Sequence, residues 1–346
     1  MLNVYSLEET EKWDEVVRSF AQSDVYYTCG YVKAFKLHGD GEPLLFYYEK
    51  DSIRGINVVM KRDIASDERF SNIISHNNYF DFSTPYGYGG WLLEGEGDTS
   101  ELFDEYSLWC RDHSIISEFV RFHPVLKNHV FSENDYDVIP LGETIAMDLS
   151  SPKVIWDNIT SKNRNVIRKA LKSGVKIYNG RSHELFRTFK TIYDKTMDKD
   201  NAEDYYYFND EFYNSILEDM PNNAQVFYAQ LDDGTVISSA IIIGKNNKLN
   251  YHLSGSRRDY QHLAPSNLLL YHVALWGCEN GFKTFYLGGG VGSAEDSLFK
   301  FKRSFYRGDL YRFHIGKKIF NKQVYDELVD LRSEVKDSSF FPCYRA

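Results

Sequence analysis

Gln225-Val-Phe-Tyr-Ala-Gln-Leu-Asp-Asp-Gly-Thr-Val-Ile-Ser-Ser-Ala-Ile-Ile-Ile243 is the stretch on which the fold class turns. Two apolar runs, 225–231 and 236–243, flank Asp232-Asp233-Gly234, and Asp-Gly between apolar runs is a strong hairpin signal. Upstream, residues 184–196 and 209–220 read as two helices. The first half has the same order: helices over 7–20 and near 29–37, then strands over 43–49 and 53–60. Each half continues with a helix (100–112; 266–278) and a strand (118–122; 283–287). The halves superpose at an offset of about 180 residues, which is the mark of a duplicated unit. Tyr26-Tyr27 then falls near Tyr205-Tyr206-Tyr207, and Thr84-Pro85-Tyr86 near Ala264-Pro265-Ser266. Hairpins mixed with helix crossovers predict an α/β (α+β) fold with mixed, partly antiparallel sheets. The division expected is a first domain over 1–150 and a second over 151–346.

Composition agrees with two globular domains. The chain has 346 residues, 42% hydrophobic and 26% charged, enough apolar matter for two cores at roughly 150 residues each. Net charge is −10, which argues against binding DNA or any polyanion through bulk charge and leaves only a local patch. One such patch stands at 161–174. Lys162, Arg164, Arg168, Lys169 and Lys172 occur there without an acid, on a helix whose apolar Val166, Ile167, Ala170 and Leu171 recur at helical spacing and whose C-cap is Gly174. It reads either as a solvated helix face or as an anion-attracting surface.

Other classes lose their supports. The N-terminus lacks a basic and an apolar region, and no stretch of about 18 uncharged apolar residues occurs, so no membrane segment is expected and a cytoplasmic location is. Cys29, Cys110, Cys278 and Cys343 lack CxxC spacing, and His252, His262 and His272 lack ligand spacing, so no metal is expected. There is no GxxxxGK[ST], GxSxG, HExxH or GxGxxG. The oligomeric state is not legible.

The densest chemistry lies at Tyr251-His-Leu-Ser-Gly-Ser256, Tyr286-Leu-Gly-Gly-Gly290 and Asp296-Ser-Leu-Phe-Lys-Phe-Lys-Arg-Ser-Phe305. Glycines ending a strand let a ligand or another backbone approach closely. Asp296 reads as a helix N-terminal carboxylate with a structural role. Lys302, among Phe299, Phe301 and Phe305, reads either as a snorkelling lysine or as a fixed cation suited to an oxyanion.

These segments resemble the Fem family (FemA/FemB/FemX-like) of peptidoglycan bridge-building aminoacyl transferases, which are built from two tandem GNAT-like acyltransferase domains. The resemblance rests on the basic helix 161–174, Thr196-Met197, Tyr251–Ser256, Ala264-Pro265, Tyr286–Gly289, Asp296-Ser-Leu, Phe301-Lys302 and Phe305. Gly30-Tyr31-Val32-Lys33 and Val120-Arg121-Phe122-His123-Pro124 extend it into the first half. It implies an acyltransferase in which an amine of a cell-wall peptide precursor attacks the ester of an aminoacyl-tRNA, with no metal, ATP or other cofactor. Lys302 looks like the family's catalytic lysine. His123 stands where relatives carry an aspartate suggested as the base, which leaves it either a base or without that role. Tyr206 stands where relatives that grip a nucleotide diphosphate carry an arginine, while Lys33 resembles the family's other phosphate contact. The candidate catalytic residues are therefore Lys302 and His123. The candidate substrate-binding residues are Lys33, Tyr86, Arg164, Tyr206, Tyr251, His252, Gly288 and Gly289. Two rival readings stay open: an acyl-CoA-dependent N-acyltransferase acting on a sugar or amino compound, and a non-catalytic binding protein. The segment His262-Leu-Ala-Pro-Ser-Asn267, with no glycine and with Pro265, disfavours a CoA pyrophosphate cradle; Tyr86-Gly-Tyr-Gly-Gly90 offers either a cradle or a plain turn.

Overall fold

A computed structural model describes residues 1–70, 72–332 and 338–346. The chain forms two compact units, Met1–Leu141 together with Phe313–Ala346, and Gly142–Arg312.

The first unit begins with β1 (Leu2–Tyr5), α1 (Thr10–Ser19), α2 (Cys29–His38), β2 (Glu42–Lys50) and β3 (Ile53–Asp63). It continues with β4 (Phe80–Ser83), β5 (Leu92–Glu94), α3 (Ser100–Asp112) and β6 (Ile115–Arg121). The strand β7 (Asp137–Asp148) leads into the second unit. That unit holds α4 (Pro152–Asn158), α5 (Ser161–Lys172), β8 (Lys176–Gly180), α6 (His183–Asp200), α7 (Asp210–Asp219) and β9 (Ala224–Gln230). After these come β10 (Val236–Lys245), β11 (Lys248–Ser256), α8 (Pro265–Glu279), β12 (Thr284–Gly288) and α9 (Ser297–Arg303). The chain then returns to the first unit through β13 (Tyr311–Ile319) and α10 (Lys322–Asp330).

The two units share one plan. The first sheet runs β1-β2-β3-β4-β6-β13 and the second β8-β9-β10-β11-β12-β7, with β5 added to β3. In each, only the fourth and fifth strands are parallel, β4 with β6 and β11 with β12. The α/β class with mixed, partly antiparallel sheets therefore holds. So does the tyrosine alignment, since Val25–Tyr27 and Asp204–Tyr206 are both 3₁₀ turns before the second helix of their unit. The hairpin is also present: Gly234 has φ +85° and its N–H donates to the Leu231 carbonyl at 3.0 Å. The match of Pro85 to Pro265 fails, because Pro265 opens α8 whereas Pro85 lies in a loop that β5 separates from α3.

The expected boundary at 150/151 also needs correction. The last strand of the first sheet comes from the far end of the chain: β13 pairs antiparallel with β6, Ile315 opposite Arg121 and Lys317 opposite Phe119. Without it β6 would present an open edge. The C-terminus stays there, with the Tyr344 hydroxyl 3.0 Å from Asp81 and 2.8 Å from Ser117.

In the second unit α5 packs Ile167 and Ala170 into a core with Ala240, Leu268, Phe285 and Phe299. Thr160 caps α5 by accepting from the Asn163 N–H at 3.3 Å, and its own N–H donates to the Ser304 carbonyl at 3.0 Å. The basic helix is thus tied to the end of α9.

Candidate active site

An opening in the second sheet sets the site. β11 pairs with β12 only over 248–250 against 284–286. Further along β11 the register with β10 shifts, Leu253 facing Ile241 but Tyr251 facing Ile242, so His252 is the extra residue of a β-bulge. A bulge bends its strand and increases the local twist. Pairing with β12 ends at the residue before Tyr251, and the two strands part there.

Lys302 stands at the β12 side of that opening. Its ammonium donates to the Gly289 carbonyl at 2.7 Å. Gly288 has φ +81°, and a Cβ there would meet Lys302 Nζ at 3.3 Å, so glycine serves both the turn and the close approach of the amine. The helix that carries the lysine is anchored at both ends. Asp296 Oδ1 accepts from Phe299 N–H at 2.8 Å and Oδ2 from Val291 N–H at 3.2 Å, while Phe299 and Phe305 are buried. A Cβ on Gly290 would come within 2.4 Å of Asp296 Oδ1, so a bare glycine admits the carboxylate. Asp296 is the structural cap the sequence suggested. Its carboxyl is held below the ordinary range chiefly by the Phe299 N–H. Lys302 is partly buried, and that desolvation pushes its ammonium down to about 8 against the opposing pull of Asp296. A lysine so placed is a fixed cation near neutral pH that gives up a proton readily.

The other second-unit candidates spread around this point. Gly288 and Gly289 are in direct contact with Lys302. Tyr251 lies on β11 against the core, its hydroxyl raised by burial. His252 is the bulge residue, pushed down to about 3 by burial, so its ring is neutral at ordinary pH. Arg164 donates to the Trp156 carbonyl at 3.3 Å, and Arg168 lies 5.0 Å over the Trp156 ring. Tyr206 sits edge-on to Tyr205 with centroids 5.5 Å apart in the turn before α7. Between the end of α6 and the segment after β11 lies a cavity of about 510 Å³, lined by Lys195, Lys199, Arg257, Arg258 and the lone acid Asp259. Sequence reading missed Lys195 and Lys199, which their spacing of four on a helix could have signalled. It also missed Trp156, the platform under the two arginines.

The first unit holds the remaining candidates, His123 among them. Its ring is 1% exposed. Nδ1 accepts from the Val125 and Leu126 N–H groups at 3.2 and 3.4 Å, and Nε2 lies 3.1 Å from Asp24 Oδ2. Both nitrogens lie inside the fold, Nδ1 toward the chain that follows and Nε2 toward Asp24. Tyr26 packs edge-on against His123, Tyr31 and Tyr88. Tyr86 stacks on Phe35 at 5.4 Å, and its carbonyl accepts from the Tyr31 hydroxyl. Lys33 is exposed on α2. Tyr26 and Tyr27 are core residues.

Among the described residues no group of three or more His, Cys, Asp and Glu side chains could hold a metal. No helix of the described residues is long and apolar enough to cross a membrane.

The order of elements and the single parallel strand pair in each sheet invite comparison with solved structures. The chain folds as FemX does. The crystal structure of FemX matches 94% of this chain and 99% of its own with a TM-score of 0.67, at 14% identity. L-PGS from Bacillus licheniformis follows the same course at TM-score 0.58 and 13% identity, over 94% and 96% of the two chains. The C-terminal domain of a putative lysylphosphatidylglycerol synthetase from Agrobacterium fabrum does so at 0.56 and 12%, over 97% and 98%. Residues 161–303 match the model of the acetyltransferase (GNAT) domain. That span runs from the basic helix to the residue after Lys302, so the candidate site lies within the matched residues. No curated protein sequence matches the chain.

Proposed function

We propose that the protein is an acyltransferase that moves an aminoacyl group from aminoacyl-tRNA to an amine of a peptidoglycan precursor. One observation carries this reading: the Lys302 ammonium, desolvated and held on the Gly289 carbonyl, beside the point where β11 and β12 part. An ester donor is already activated, so the protein has to position the reactants and stabilise charge. The amine nitrogen attacks the ester carbonyl carbon, and the carbonyl π electrons move onto oxygen beside the Lys302 cation. Collapse forms the amide and breaks the C–O bond. Lys302 passes a proton to the departing ribose oxygen and regains one from the nitrogen, so the proton count closes. A side chain pushed down to about 8 suits both transfers near neutral pH.

Two features favour a tRNA donor over acyl-CoA. The exposed cations of α5 and the cavity of Lys195, Arg257 and Arg258 supply local positive surface on a chain of net charge −10. The segment before α8 is also poor in free amides: the Tyr260 and Ala264 N–H groups are spent on the Arg257 and Gln261 carbonyls, and Pro265 has none. The names of the fold relatives, FemX and lysylphosphatidylglycerol synthetase, accord with this donor.

The test is to incubate the protein separately with a labelled aminoacyl-tRNA pool and with labelled acyl-CoA, each with cell-wall precursors or with phosphatidylglycerol as acceptor. Label passing from tRNA to a precursor amine supports the proposal. Turnover of acyl-CoA with release of thiol, or no transfer in any arm, refutes it.

A further inference from the structure

The sheet of the first unit has a second, separate pocket. Register places the side chains of Arg62 and Asp81, of Ser83 and Phe119, of Arg121 and Ile315, and of Lys317 on one face of β3, β4, β6 and β13. The core of that unit, with Phe82 and Val120, lies on the other face. Phe340, Phe341 and Pro342 of the C-terminal segment close over part of the face and leave a cavity of about 280 Å³. Three cations line it: Arg62, Arg121 and Lys317. Among the described residues no Asp or Glu does.

Each cation keeps unspent donors. Arg62 uses only Nε, on Asp81 at 2.8 Å, so both terminal nitrogens remain. Arg121 spends Nε and Nη2 on the carbonyls of Gly87, Thr84 and Pro85, which leaves Nη1. Lys317 has no hydrogen-bond or ion-pair partner among the described residues, and lies 5.6 Å from the centre of the Phe341 ring. The Ser83 hydroxyl, 8% exposed overall, adds a further uncommitted group. Asp81 already pairs with Arg62, which leaves Arg121 and Lys317 as two cations without a carboxylate partner among the described residues, and they repel one another unless an anion joins them. A carboxylate would offset only one of them, whereas a phosphate monoester brings a charge of about −1.5 to −2 and three strong acceptors. The walls are aromatic and aliphatic, from Phe119, Ile315 and Phe341, and Phe340 stands 56% exposed at the mouth.

We propose that this pocket of the first unit binds a phosphate monoester carrying an apolar body, the phosphate on Arg62, Arg121 and Lys317 and the body against the phenylalanines. The site shares no residue with the Lys302 site, so the Lys302→Met variant keeps it, and its failure is distinct from failure of the acyl-transfer reading. The experiment is calorimetric titration of the full chain with phenyl phosphate, inorganic phosphate and phenol. Phenyl phosphate should bind more tightly than either fragment. Lys317→Gln should weaken phenyl phosphate about tenfold, the effect of removing one charge-assisted hydrogen bond. Phe340→Ser, at an exposed position that folding does not need, should weaken phenyl phosphate and leave inorganic phosphate unchanged. Sedimentation with vesicles containing phosphatidic acid, against phosphatidylcholine alone, separates the sources: binding lost in Lys317→Gln makes a lipid phosphate the natural ligand, and its absence beside phenyl phosphate binding makes it a free ester. Equal affinity of wild type and Lys317→Gln for phenyl phosphate, or no saturable binding, overturns the proposal.

Discussion

Replacing Lys302 by Met separates a catalytic lysine from a structural one, because the two make opposite statements about stability. Burial moves the ammonium from 10.5 to about 8, which corresponds to about 3 kcal/mol against the charged form in the folded state. The bond to the Gly289 carbonyl returns about 1.5–3 kcal/mol of this. Methionine removes both terms while keeping a stem of similar length, so thermal unfolding at pH 7 should move by only a few degrees, in either direction. Turnover should fall about 10²–10³-fold, the cost of losing one preorganised donor at an oxyanion. The pH dependence of stability has a definite sign. Between about 8 and 10.5 the folded amine is neutral while the unfolded one still binds a proton, so the wild type gains stability relative to Lys302→Met as pH rises through that window. Parallel unfolding curves at pH 7 and pH 10 give that gain, and transfer from the active donor gives turnover. Wild-type turnover in the variant would refute the mechanism. A wild-type advantage that is already full at pH 7 would refute the desolvated amine.

Three further outcomes follow from the same geometry. Asp296→Asn keeps a good helix cap but removes the negative charge that holds Lys302 up, so the alkaline limb of the rate profile should move to lower pH, as a rate–pH series will show. His123→Ala should lower the urea midpoint by an amount equal to about 1–3 kcal/mol, through a buried Asp24 robbed of its ring partner, and leave turnover of the folded enzyme unchanged. Arg168→Glu with Lys172→Glu on the exposed face of α5 should weaken aminoacyl-tRNA binding in filter assays and flatten its salt slope by about 0.9 for each phosphate no longer neutralised.

What could be read from the sequence was whatever its own neighbourhood determines. Asp233-Gly234 needs positive φ at a tight turn, and that requirement is local, so the hairpin was visible. The periodicity of α5 showed its buried face, Ile167 and Ala170, for the same reason. The pairing of β13 with β6 could not be read, because nothing near 311–319 says that its partner lies close to residue 118. The domain boundary was misplaced for that one reason. In the site, the Gly288-Gly289-Gly290 run and the Phe-rich helix marked Lys302, since glycine at a strand end advertises a close approach. The role of His123 stayed open because it depends on Asp24, a hundred residues away and silent as a motif. The His252 bulge was hidden too: a bulge is a property of two registers, and a single strand displays only its alternation.

The shared plan of the two units bears on why the proposed chemistry is assigned to the second. Both sheets place a parallel pair at the same position, β4 with β6 and β11 with β12, and an opening there is where an acyl chain could enter. In the first unit that seam is zipped. After a register shift between Phe80 and Asp81, β4 and β6 stay in register from Asp81 and Ser117 through Ser83 and Phe119, and the loop that follows continues the ladder, Thr84 N–H to the Phe119 carbonyl at 3.1 Å and Gly89 N–H to the Arg121 carbonyl at 2.8 Å. Arg121 then binds three carbonyls of that loop. The glycines of Tyr86–Gly90 serve this turn, with Gly87 at φ +94° and Gly90 at +89°. In the second unit the corresponding ladder stops at Asn250 and Tyr286, the bulge at His252 bends β11, and Gly288 leaves room for Lys302 at the end of β12. One ancestral plan has thus been closed by hydrogen bonds in one copy and held open beside a desolvated cation in the other. Grafting the closed loop's logic onto the open copy, by extending the β11–β12 ladder past Asn250, should abolish transfer while raising stability.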